Sequence, residues 1–168
     1  IVVMDITNPE KAPKVLAELT IPDGSYTNSN PDIVKFRTYS DSGEVEDAWY
    51  LAVGTGVSEA GINSFTNENT PKLYMFDLLT KKWVDEKGTE ITKSKGWIGG
   101  INSIDWNRDY QDDYIYLGTV EGSADAPAGQ LFRIAVDSSG TLGTATPVIE
   151  LSSTDKQAFA ATPFTVED

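Results

Sequence analysis

The residues predict an all-β domain assembled from repeated antiparallel sheets, and three observations carry that expectation. Short runs rich in β-branched and aromatic residues alternate with clusters of Gly, Asn, Asp, Ser and Pro, the pattern of strands and turns. Helical periodicity is weak along the whole chain. The runs also recur in a fixed order, which constrains the architecture more than any one strand does.

Taken in order, strands are expected at Ile1 to Asp5, Val15 to Thr20, Asp32 to Tyr39, Ala48 to Gly54, Lys72 to Asp77, Lys82 to Val84, Ile101 to Asp105, Asp113 to Thr119, Gly129 to Val136, Val148 to Leu151 and Pro163 to Val166. The stretch Glu10 to Leu19 has the Ala, Leu and Lys of a helix, but Pro9 and Pro13 favour an extended path. The run WYLAVGTG at 49–56 is echoed by YIYLGTVEG at 114–122, each an aromatic and apolar strand that ends in Gly-Thr. Each is followed, after a loop, by a matching strand, KLYMFD at 72–77 and QLFRIAVD at 130–137.

The Asp that closes those strands also closes the first run, at Asp5. A leading strand recurs at Asn30 to Val34, at Ile101 to Asp105 and at Thr162 to Val166. The order therefore reads as part of a β-propeller, an arc of antiparallel four-stranded blades. Residues 1–27 would end one blade, 28–98 form a second, 99–160 form a third, and 161–168 start another. The spacings from Asp5 to Asp77 and from Leu73 to Leu131 exceed the roughly 40 to 50 residues of compact blades, so loops are inserted. An arc leaves the outer faces of its end blades uncovered, so further blades are expected on both sides. The start at Ile1, running straight into VVMD, likewise reads as a piece of something longer. An ordinary β-sandwich whose strands resemble one another is the alternative.

Composition narrows the chemistry. The 168 residues, 39% of them hydrophobic, suffice for a core, and 13 Lys and Arg against 26 Asp and Glu give a net charge of -13 that repels nucleic acid and anionic lipid. The chain has no Cys and no His. Thiolate and imidazole catalysis are thereby excluded, as are disulfides, and any bound metal should be a hard cation held by oxygen, calcium before magnesium. No apolar stretch approaches the roughly 20 residues of a membrane-spanning helix.

The segment DWNRDYQDD at 105–113 concentrates that chemistry. Side-chain oxygens fall at its positions 1, 3, 5 and 9, as Asp105, Asn107, Asp109 and Asp113, and Gln111 at position 7 would contribute its main-chain carbonyl. Three carboxylates drawn together repel one another unless a cation neutralises them. The segment departs from an EF-hand, because Tyr110 replaces the Gly at position 6, Tyr116 replaces the Glu at position 12, and a strand follows instead of a helix. Asp112 is the spare acid, expected to face solvent. An Asp- and Asn-rich surface turn is the bland alternative.

Other candidates are weaker. Asp41, Glu44, Glu46 and Asp47 read as a solvated hairpin tip. Trp49, Trp83, Trp97 and Trp106 could suggest a sugar-stacking surface but are expected to pack between blades. The Gly54, Thr55, Gly56 run lacks the Lys and the helix of a phosphate-binding loop. Gly99 and Gly100 should mark a tight turn or a close backbone approach.

The run from Asp105 to Thr119, followed by GQLFRI at 129–134, resembles the calcium loop and adjoining strands in the C-terminal β-propeller of the PilY1 family of type IV pilus biogenesis and tip-adhesion proteins. MDITNPE at 4–10 is similar to that family's blade ending, and the stretches from Asn30 to Gly56 and from Ala161 to Pro163 to its neighbouring blades. The resemblance implies a calcium-binding protein at the cell surface, at the pilus tip or associated with the outer membrane. Its partners would be minor pilins and host or abiotic surfaces, and calcium would modulate attachment or pilus extension and retraction. By position it implies Asp105, Asn107, Asp109, Gln111 and Asp113 as calcium ligands and no catalytic residue. A second resemblance competes: KLYMFDLLTKKW at 72–83 is similar to the tryptophan-docking repeat of pyrroloquinoline-quinone dehydrogenases, which implies an enzyme, although Lys81 stands where that repeat has Gly and the Trp comes early.

Overall fold

The computed structural model describes residues 1–39, 41–64, 67–149, 151 and 157–166. Twelve strands and one short helix appear among them: β1 (Val2–Asp5), β2 (Lys14–Glu18), β3 (Asp32–Tyr39), β4 (Val45–Gly54), α1 (Glu59–Ser64), β5 (Lys72–Asp77), β6 (Lys82–Trp83), β7 (Thr89–Glu90), β8 (Gly96–Ile104), β9 (Tyr114–Gly122), β10 (Pro127–Ala128), β11 (Leu131–Ala135) and β12 (Thr146–Pro147). The chain is all-β with antiparallel pairing in every sheet. No helix among the described residues is long and apolar enough to cross a membrane.

Three sheets form in chain order. The first is the hairpin β1-β2; the second runs β3-β4-β5-β6, with β7 also on β5; the third runs β8-β9-β11-β12, with β10 also on β9. The second and third sheets thus have five strands each, four of them in a meander and a fifth, two-residue strand alongside. Side chains alternate faces along a strand, and in the second sheet both faces are buried. Tyr50, Ala52, Leu73 and Met75 point toward the third sheet, where they pack with Ile98, Ile101, Ile115, Leu117, Phe132 and Ile134. Leu51, Val53, Tyr74 and Phe76 point the other way and pack with Ile21 and, toward the first sheet, Ile1, Val3, Ala17 and Leu19. The second sheet is therefore a filling between the other two.

The repeated sequence features have repeated structural roles. Asp5 and Asp77 close a strand, Asp137 follows one by two residues, and each turns a carboxylate back on the chain. Asp5 accepts from Thr7, Asp77 from the Leu79 and Thr80 N–H groups at 2.8 and 2.9 Å, and Asp137 from the Ser139 and Thr141 N–H groups at 2.9 and 3.0 Å. Short carboxylates that satisfy turn amides are the reason Asp is favoured there.

Thr55 and Thr119, the ends of the two Gly-Thr runs, are buried, at 2% and 0% exposure. The Thr55 N–H donates to the Lys72 carbonyl and its Oγ1 accepts from the Lys72 N–H, both at 2.9 Å. Thr119 does the same with Gln130, at 2.9 and 3.0 Å.

Most expected strands form, with shifted ends. Three of the expected strands need correction. β8 starts at Gly96 rather than Ile101, so Gly99 and Gly100 lie inside a strand at a register shift between Ile98 and Ile101. The close approach expected there is real: a Cβ on Gly99 would meet the Phe159 carbonyl, and one on Gly100 the Thr162 Cα.

The last strand of the third sheet is Thr146–Pro147, ahead of the expected Val148 to Leu151; it pairs with Arg133 and Phe132, and the Val148 N–H adds one bond to the Leu131 carbonyl at 2.9 Å; Glu150 lies outside the described residues. Pro163 to Val166, expected as a strand, pairs with none of the described strands. Helix α1 was not expected; Ser58 caps it, its Oγ accepting the Gly61 N–H at 3.1 Å, and six residues are too few to show periodicity.

Candidate metal-binding loop

Asp105 to Asp113 connect β8 to β9, directly after Ile104 and directly before Tyr114. The two strands are paired at Ile104 and Tyr114, and the Asp113 N–H donates to the Ile104 carbonyl at 2.9 Å, so the loop leaves and re-enters the sheet at one place. Arg108 and Tyr110 adopt left-handed φ values of 60° and 72°, which wind the segment tightly.

The winding centres on Asp105. Its Oδ1 accepts the Asp109 N–H at 3.1 Å and its Oδ2 the Tyr110 N–H at 2.7 Å. Asn107 Oδ1 also accepts from the Asp109 N–H, at 3.0 Å, and Asp109 Oδ1 accepts the Gln111 N–H at 3.0 Å. Gln111 is half-buried and turns its side-chain amide back on Asp109 Oδ2 at 3.4 Å. Asp113 Oδ2 accepts the Trp106 N–H at 2.9 Å, which ties the two ends of the loop together.

Each of the four side-chain donors expected from the sequence thus accepts a hydrogen bond from a main-chain N–H within the loop. In donor chemistry and in winding the segment suits a hard cation. Its acids are not gathered: among the described residues no group of three or more Asp, Glu, His or Cys side chains is arranged to hold a metal ion. Asp105 and Asp113 are half-buried, whereas Asn107 and Asp109 are exposed. A cleft of about 180 Å³ opens beside Asp105, lined also by Lys35, Tyr110 and Asp112.

Asp112 does not face solvent as expected. Its N–H donates to the Lys35 carbonyl at 2.8 Å and its Oδ2 accepts the Lys35 N–H at 2.6 Å. β3 is the outer strand of the second sheet, so Lys35 would otherwise present unpaired main-chain groups on that side; the loop of the third sheet satisfies them. Burial pushes the Asp112 carboxyl above the usual range, the Lys35 N–H opposes that, and the charges of Asp32, Asp105 and Asp113 push it further up. Beside this contact the Tyr110 ring lies under the Arg37 guanidinium, 4.6 Å from the ring centroid.

Lys35 and Arg37 were not singled out from the sequence. Alternation along β3 does place them together on the face opposite Val34 and Phe36, but which strand edge the loop would reach depends on how two sheets stack.

The remaining candidates resolve into structural roles. Asp41, Glu44, Glu46 and Asp47 are exposed, and Asp47 also pairs with Lys35 and Arg37 at 3.3 and 3.4 Å. Trp83 packs edge-on against Tyr74 and Phe76, as expected of a core tryptophan, whereas Trp106 and Trp49 are exposed and take no part in the cores between sheets. Thr55 has its hydroxyl committed to the Lys72 N–H. Comparison with protein-family models, with curated proteins and with solved structures gives no match.

Proposed function

We propose that the chain is a calcium-binding segment of a β-propeller in a surface protein that serves type IV pilus assembly or tip-associated adhesion. The observation that carries the calcium part is the winding of 105–113 around Asp105, with the Asp109 and Tyr110 N–H groups both directed onto its carboxylate. That arrangement holds Asp105 at the hub of the loop, and Asn107, Asp109, Gln111 and Asp113 follow it at alternate positions of the chain. Calcium accepts 6 to 8 oxygens in flexible geometry, so a site would be completed by rotation of Asp109 and Asp113 toward Asp105, together with the Gln111 carbonyl and water. The ion would neutralise the carboxylates that close around it.

The propeller part is supported by the four-strand meander within each of the second and third sheets and by their face-to-face burial. The blade divisions at 1–27, 28–98, 99–160 and 161–168 are part of this reading, with additional blades covering the outer faces. The pilus part is supported by the sequence resemblance alone. On this reading the protein binds and assembles, and does no chemistry on a substrate: calcium fixes a loop between two strands, and minor pilins or an attachment surface respond to its state. Such a response requires that the partner bind the two states with different affinity.

Isothermal titration of the chain with calcium chloride tests the site, and binding of minor pilins measured with calcium and with chelator tests its purpose. Saturable uptake that depends on Asp109, with pilin affinity that changes on chelation, is the expected pair of results.

A further inference from the structure

We propose that a glycine-lined groove on the third sheet is a recognition site for an extended chain segment, and that residues 157–162 fill it by exchange between two copies of this chain as well as within one copy. Four glycines build the groove. A Cβ on Gly118 would meet the Phe159 side chain and carbonyl, one on Gly99 the Phe159 carbonyl and Ala160, one on Gly100 the backbone of Ala161 and Thr162, and one on Gly129 the Thr119 and Gln157 carbonyls. Glycine lets two stretches of backbone approach this closely. The groove is seen occupied: residues 157–162 lie in it, and the Phe159 N–H donates to the Thr119 carbonyl at 3.0 Å.

The same recognition is used once already inside the fold. The Ile98 N–H donates to the Thr55 carbonyl at 2.9 Å, and a Cβ on Gly54 would meet the Ile98 side chain. In both sheets a Gly-Thr pair thus takes a large apolar residue by its main chain, Ile98 in one case and Phe159 in the other. The two differ in how firmly they are held. Ile98 is fully buried and belongs to β8, which pairs with β9 along its length. Phe159 is half-buried, belongs to none of the described strands, and is followed by Phe164 and Val166 at 86% and 87% exposure. A segment with few buried contacts opens at low free-energy cost. From Ile149, whose carbonyl accepts from Gln130 Nε2 at 3.2 Å, to Phe159 the chain can span roughly 35 Å when extended, enough to cross to a second copy. Exchange then costs little, because the contacts formed between copies replace those given up within each.

The probe is a fluorescein-labelled synthetic peptide of residues 157–166, titrated by anisotropy into the full chain as wild type and as Phe159→Ala. Light scattering after size exclusion gives the mass of each protein over a range of concentrations. Phe159→Ala truncates a half-buried side chain and leaves the four glycines of the groove in place, and unchanged circular dichroism verifies the fold. The chain's own segment competes at the millimolar effective concentration of a tethered ligand, so the peptide should bind Phe159→Ala at least about tenfold tighter than wild type. A peptide carrying Phe159→Ala should not bind. Wild type should pass from monomer to dimer as its concentration rises, added peptide should return it to monomer, and Phe159→Ala should stay monomeric. No binding of the peptide to either protein, or equal binding of the peptide and its Phe159→Ala form, would overturn the groove as a recognition site. A wild-type chain that stays monomeric up to millimolar concentration would overturn the exchange.

Discussion

The Ile98 N–H donates to the Thr55 carbonyl at 2.9 Å, carrying the first strand of the third sheet onto the end of a strand in the second. The Phe159 N–H makes the same bond to the Thr119 carbonyl, at 3.0 Å, one repeat further along the chain. Because Thr55 and Thr119 also share their bonds to Lys72 and Gln130, the two Gly-Thr runs are equivalent joints. Phe159 to Thr162 consequently occupies on the third sheet the place that Ile98 to Ile101 occupies on the second.

These joints should be sensitive to loss of the hydroxyl alone. Thr55→Val preserves shape and burial but leaves the Lys72 N–H without its Oγ1 acceptor, a loss of about 1–3 kcal/mol for a buried donor. Urea unfolding at unchanged slope should report it. An unchanged midpoint would mean that the hydroxyl bond is replaceable by water.

The close approach at Gly100 makes a second expectation. Val at this position would drive a branched side chain into Thr162, and overpacking of this kind costs about 1–3 kcal/mol. The loss should be local first: the Phe159 amide should exchange faster in Gly100→Val than in wild type, while the Leu51 and Val53 amides within the second sheet keep their relative protection. Uniform loss of protection would instead place the defect in the whole fold.

Acid should loosen the turn after β11. The hydrogen bond from the Ser139 hydroxyl, followed by the Thr141 N–H, holds the Asp137 carboxyl below the usual aspartate range. A pKa depressed by folding means that the unfolded chain binds the proton more tightly. The turn's contribution is therefore present above the ordinary aspartate pKa and is lost as pH falls through the depressed value. Carbon-13 titration of the Asp137 carboxyl should give a low midpoint that rises in Ser139→Ala; identical midpoints in the two proteins would discount the hydroxyl as the cause.

Much of this architecture was legible in the residues because period-two alternation and turn chemistry are local. Strand β3 and strand β5 follow directly from such patterns, and the recurrence of Asp5, Asp77 and Asp137 reflects one turn device used three times. Long-range features were not legible. Nothing near Asp112 reveals that it would meet Lys35, 77 positions away in the chain. The early start of β8 was hidden because Gly99 and Gly100 read as a breaker, and their tolerance inside a strand comes from the Phe159 to Thr162 segment pressed against them. For the loop, the spacing of Asp105, Asn107, Asp109, Gln111 and Asp113 foretold donors; it could not foretell that loop amides would hold four of them.

Calcium uptake by the loop is the central claim, and calorimetric titration of the wild-type chain beside Asp109→Ala addresses it most directly. Asp109 is exposed and its carboxylate bonds only to Gln111 among the contacts described for the loop, so its truncation removes a ligand without opening the core. One saturable site in wild type, weakened at least about tenfold in Asp109→Ala, is the expected result, because each carboxylate supplies both charge and geometry to a calcium site. Equal uptake by the two proteins, or none by either, would contradict the account.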